Sequence, residues 1–251
     1  EGNYDLQLTN SDDGGRNILL TTMLNKSWDN GIKWSAAYTY TDITEANPGT
    51  SSTAESNYQY EVGVNRNVPM VGTAYYEIKH RLVMTLGYDH EFFSGYNTNV
   101  TMFFERRSGR PFSWTLGAYN DVGLGDQYTF AGSDTYLPYV PTGADDPAVD
   151  WANSSLTYEE VMEFAEAAGI AGAAGGYPDK YTSTQPWVTT MDLSISQEIP
   201  GFIDGHKGKF YLNIDNFANL LNDEWGQTYD LSYPQNLLYD YDINENGQYV
   251  Y

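Results

Sequence analysis

The chain has 251 residues, no cysteine, 16% aromatic side chains and a formal net charge of −22. An acidic balance of this size excludes recognition of a phosphate backbone, which needs a basic surface. Zero cysteine excludes a disulfide framework and a thiolate metal site. A mean hydropathy of −0.53 excludes a membrane-spanning helix, since no apolar run comes near the ~18 residues one requires. It leaves open a membrane β-barrel, in which every second strand residue is polar.

Residue 1 is Glu, and no charged-then-apolar signal segment follows it, which predicts a processed chain or a piece of a longer one. Alternation of apolar and polar residues then predicts strands at 3–9, 17–27, 31–41, 74–89, 97–107 (with an extension toward 117), 186–198 and 208–217. In 31–41, Ile32, Trp34, Ala36, Tyr38 and Tyr40 face one way, and Lys33, Ser35, Ala37, Thr39 and Thr41 the other. The same grammar returns in Leu82, Met84, Leu86 and Tyr88, in Val100, Met102 and Phe104, in Met191, Leu193 and Ile195, and in Phe210, Leu212 and Ile214. Residues 58–65 read either as another strand, with Tyr58, Tyr60, Val62 and Val64 on one face, or as an ordered loop.

Connections alternate in length. Asn30-Gly31 signals a tight type I′ hairpin. Short turns follow at 92–96 and 199–207, whereas 42–73, 118–186 and the strandless tail from 218 are long. Short turns on one side and long loops on the other match the periplasmic and external ends of an outer-membrane barrel, with 42–73, 118–186 and 218–251 as extracellular loops. A soluble up-and-down sheet is the competing reading.

Residues 118–186 carry eleven Asp or Glu and one base, Lys180; residues 218–251 carry six and no base. These loops read as a solvated, self-repelling surface or as a site for cations. One short loop helix is predicted. Thr157 and Glu160 have capping-box spacing, Leu156 and Val161 staple spacing, and Val161, Phe164, Ala165 and Ala168 make a narrow apolar stripe ending at Gly169. It is expected to pack on its own loop.

Catalytic signatures are lacking. His90-Glu91 has Ser94 where a zinc protease needs its second histidine, and no Gly-x-Ser-x-Gly elbow, phosphate loop or dinucleotide loop occurs. An enzyme is not expected. Asp240, Asp242, Asn244 and Asn246, followed by Gly247, resemble the opening half of a calcium loop, the alternative being a polar Asn/Gly turn leading into a strand.

Three segments resemble a known family. Residues 76–88 (YEIKHRLVMTLGY) look like a descending strand of TonB-dependent outer-membrane receptors, in particular the Oar-like branch. Arg107-Ser108-Gly109-Arg110-Pro111-Phe112-Ser113 resembles the element at the top of the following strand. Residues 210–226 (FYLNIDNFANLLNDEWG) resemble the penultimate strand and its exit into the last outer loop. The likeness is good from about 74 to 226 and looser before that. It implies a large plugged barrel in the bacterial outer membrane, contacting lipid, energised by the TonB complex through parts outside this chain, and importing a scarce ligand. The chain holds no plug, and its strands form part of one wall.

The expected fold is therefore all-β, with antiparallel transmembrane staves of a partial barrel spanning 1–251, long extracellular loops and one loop helix. Arg107 and Arg110 are placed at the rim as ligand-contact candidates, and no cofactor is expected unless calcium binds. The rival functions are a non-transporting outer-membrane adhesin or scaffold barrel, and a soluble secreted β-protein that binds carbohydrate through its Tyr and Trp residues.

Overall fold

A computed structural model describes residues 7–68, 70–118, 135–229, 231 and 234–251. Six long strands form an antiparallel meander. They are β1 (Arg16–Ser27), β2 (Ile32–Glu45), β4 (His80–Phe93), β5 (Tyr96–Arg107), β8 (Val188–Pro200) and β9 (Lys207–Ile214), in the order β1-β2-β4-β5-β8-β9, with the two-residue β3 (Gly72–Thr73) beside β2. The expected strand at 3–9 falls largely on residues outside the described set, and 7–9 are not extended into a ladder. β1 and β9 are each paired on one side only, so the sheet is open and not closed into a barrel.

Register turns the alternation into rows. Leu24, Ala36, Met84, Phe104 and Met191 lie side by side across five strands. The next row is Trp34, Leu86, Met102, Leu193 and Ile214, and the next Ile32, Tyr88, Val100, Ile195 and Leu212. The opposite face carries rows such as Lys33, Gly87, Thr101, Ser194 and Asn213. Each strand touches its ladder neighbours, and β8 also meets a 3-10 turn at Phe217–Leu220. Among the described residues no element besides this turn and β3 makes an extensive contact with the six strands: Leu20, Leu24 and Phe210 are more than half exposed, and Leu86 nearly so.

The hydrophobic core lies elsewhere, in the long connections. Arg107 ends β5, and Ser108 still closes onto β4, its amide donating to the His80 carbonyl at 2.8 Å. Gly109 then passes so close to the returning chain that a Cβ would lie 2.0 Å from the Gln185 carbonyl oxygen. Past Pro111 the chain enters a second sheet instead of extending β5, which is where the expected run toward 117 goes. This sheet, ordered β11-β10-β6-β7, consists of β6 (Pro111–Ala118), β7 (Ser183–Thr184), β10 (Gln235–Ile243) and β11 (Tyr249–Val250). β10 runs parallel to β6. The tail is thus not strandless: its Tyr239/Tyr241 alternation buries two rings in the core.

Among the described residues two α-helices occur where one was expected. Residues 54–59 form α1 (Ala54–Gln59), so the strand reading of 58–65 does not hold, and Gly63 makes only an isolated bridge to Tyr136. The other, α2 (Tyr158–Ala167), has the full capping box, with Thr157 Oγ1 accepting from the Glu160 amide and the Glu160 carboxylate from the Thr157 amide. Gly169 follows at φ +73. The helix packs beyond its own loop, because Val161 joins Leu116, Tyr239 and Tyr251. Neither helix is long and apolar enough to cross a membrane.

The three short connections, 28–31, 94–95 and 201–206, lie at one end of the meander, and all of the core at the other. The first is not a type I′ turn. Only Gly31 has positive φ, at +90, so 29–31 is a three-residue loop in which Gly takes the bulge position. Substituting Gly109→Ala is expected to lower unfolding free energy by about 2 kcal/mol through the backbone clash at Gln185. Gly14→Ala, with open space around it, should leave it unchanged in the same denaturant titration.

Candidate functional site

The connections after β2, β5 and β9 meet in a cap above the sheet, and one buried lysine ties the first two together. Lys180 is fully buried. Its ammonium donates to the Glu61 carboxylate and to the Ala46 carbonyl, so residue 180 of one long connection is plugged into the connection after β2. Its stem lies against Gly72, where a Cβ would come within 2.5 Å of Lys180 Cγ. Burial pushes the Glu61 carboxyl above its ordinary range, although the ammonium beside it pulls the other way. Next in the chain, Tyr181 holds a left-handed φ of 58, costly for a bulky side chain, and its amide donates to Ser113 Oγ at 2.7 Å.

A cleft of about 260 Å³ opens beside this pair, walled by Tyr60, Tyr75, Tyr181 and Glu61 and by polar residues of 47–57. Much of that polar lining is already committed: Asn57 accepts from the Ser51 amide and donates to the Ser51 carbonyl, both at 2.8 Å. At its edge Tyr76 donates to Glu45 at 2.7 Å, and this bond holds the phenol proton and pushes its pKa up to about 12. The arrangement offers aromatic surface and fixed polar groups, suited to holding a ligand.

A second polar knot sits at 139–150. Burial alone would raise the Asp146 carboxyl, but the amides of Thr142 and Ala148 and the hydroxyls of Thr142 and Tyr139 donate to it, and together they hold it below its ordinary value.

The rim candidates separate. Arg107 lies on the polar face of the meander opposite Arg81, whereas Arg110 is exposed beyond the strand jump, its carbonyl accepting from the Gln185 amide at 3.0 Å. Neither guanidinium is ion-paired among the described residues. Asp240 and Asp242 lie in β10, with Asp240 against Gly117. Asn244 Oδ1 accepts from the amides of Asn246 and Gln248 at 3.0 Å each, and Asn246-Gly247 forms the turn into β11. The segment is therefore a strand and a hairpin turn. Among the described residues no group of three or more His, Cys, Asp or Glu could hold a metal ion. Sequence reasoning missed Lys180, Glu61 and Arg81. Lys180 carried one signal, as the sole base among the acids of 118–186.

Lys180→Met should destabilise the cap by about 3 kcal/mol, since it strands Glu61 in a dry site. Adding Glu61→Gln should recover part of the loss, read by denaturant unfolding of both variants. Asp146 has a depressed folded pKa, so its stabilisation is present above the unfolded value of about 3.9 and is lost as pH falls through the folded one. The cap's acid unfolding should begin below about pH 4, and Asp146→Asn should flatten that limb. No family model, curated protein or solved structure matches this chain.

Proposed function

We propose that this chain is a wall portion of a TonB-dependent outer-membrane receptor, with its outer loops gathered as a ligand-binding cap. The uncovered apolar face of the meander carries this reading. Each Leu, Met, Phe or Ile left in water forgoes roughly 1.5–3 kcal/mol of burial. Three rows of such residues across five strands are more than a soluble sheet exposes without a partner layer. Lipid is the partner that suits a surface of this shape, because a barrel strand presents alternate residues to hydrocarbon and to a polar lumen.

The borders of the apolar band support it. At the cap end Tyr38 donates to or accepts from His80 Nδ1 at 2.8 Å, and His80 stacks on Trp187. At the other end Tyr88 stacks on His90, and His90 meets Phe92 edge to face. Aromatic residues at both margins match interfacial girdles. From His80 to His90 along β4 is ten residues, about 34 Å of strand, or about 26 Å of height at a tilt near 40°, close to the ~25 Å band of outer-membrane barrels.

In this account the open edges of β1 and β9 join further strands of the same barrel. The acidic cap faces outward and takes the scarce ligand, which then passes a plug outside this chain that the TonB complex displaces. The resemblance of 76–88, 107–113 and 210–226 to such receptors supports the family, and the one-sided distribution of long connections supports the orientation.

The full chain should co-float with phosphatidylcholine vesicles and pellet as aggregate without lipid or detergent. Recovery in solution as a monodisperse species would overturn the reading. Within vesicles, Leu86→Arg should cost about 2–4 kcal/mol at the centre of the band. Thr85→Arg, one residue away on the polar face, should cost little.

A further inference from the structure

Charged side chains on the polar face of the meander are mostly satisfied in pairs: Lys33 meets Asp89 at 2.8 Å, and Lys207 meets Glu198 at 2.9 Å. Asp192 accepts from the Asn216 amide at 2.8 Å. Arg107 departs from this. It stands directly opposite Arg81 in the β4–β5 ladder, which sets their Cα atoms about 5 Å apart with both guanidiniums on one face. Like charges so placed repel. One carboxylate lies near them, Glu105, two residues along β5 from Arg107 and diagonal to Arg81, whose Nε holds it at 2.6 Å. Among the described residues the Arg107 guanidinium has neither a hydrogen bond nor an ion pair. The row continues to Thr39 beside Arg81 and closes beyond Arg107 at Val188, which is buried.

We propose that Arg81 and Arg107 form a binding site for a small oxyanion, a phosphate or a carboxylate group, on the polar face of the sheet just beneath the cap. Two planar forks side by side offer paired N–H donors to one anion, and an anion between them removes the cross-strand repulsion. Glu105 is the internal competitor, since its carboxylate already takes one of the Arg81 donors. The site stands on the register of β4 and β5 and not on the membrane reading.

The test is calorimetric titration of the full chain in detergent micelles at low salt with inorganic phosphate, and separately with acetate. Saturable uptake of either supports the site, and which one binds tighter identifies the oxyanion. Arg107→Gln should weaken binding about tenfold or more, Arg107→Lys should weaken it less, and Glu105→Gln should tighten it. Arg106→Gln removes the same charge from the opposite face of the same strand, where Arg106 pairs with Leu82, and should change nothing. The site is refuted if neither anion binds saturably, or if Arg106→Gln weakens binding as much as Arg107→Gln. Tightening in Glu105→Gln is a response that a misfolded or merely structural variant does not produce.

Discussion

Backbone hydrogen bonding in a β-ladder sends successive side chains to opposite faces, and neighbouring strands keep them in register. In this chain that constraint is obeyed across six strands with the same parity, so Met84, Phe104 and Met191 meet on one face while Thr85, Phe103 and Asp192 meet on the other. A slip of one residue anywhere would mix the faces. The preserved register therefore has to answer to an environment that differs on the two sides of a sheet one layer thick. Hydrocarbon on one side and water on the other is the simplest such environment.

The cap solves a different problem. It builds its own core from Leu116, Val161, Tyr239, Tyr249 and Tyr251, with Val161 contributed by the helix α2. Tyrosine suits this role, since the ring buries area while the hydroxyl can still hydrogen-bond, as Tyr251 does to the Tyr139 carbonyl at 2.9 Å. Gly109 is the joint between the two regimes: only a residue without a side chain lets β5 leave the meander past Gln185. Lys180 then fastens the far side, substituting one buried ion pair for apolar contact between two polar connections.

Local patterns were legible and long-range ones were not. The strands were readable because period two repeats over ten or more residues, and α2 because its capping box and apolar stripe agree. β10 was hidden by its own composition, since Asp240 and Asp242 put charge at alternate positions of a short tyrosine-rich strand. α1 was hidden because Tyr58, Tyr60, Val62 and Val64 alternate by chance within a short helix and its exit. The Lys180–Glu61 pair spans more than a hundred residues, and no spacing rule reaches that far. Arg107 was singled out with Arg110 by proximity in sequence, but the hairpin register pairs it with Arg81.

The absence of cysteine permits the most direct test of the central claim. Single cysteines placed in turn at positions 82 to 88 of β4 can carry a nitroxide label in lipid-reconstituted protein. Accessibility to oxygen, which partitions into lipid, is then compared with accessibility to a water-soluble nickel reagent. The account predicts an oscillation of period two, with oxygen favoured at 82, 84, 86 and 88 and nickel at 83, 85 and 87. Uniform access of the nickel reagent to both sets would contradict it and leave a sheet with water on both faces.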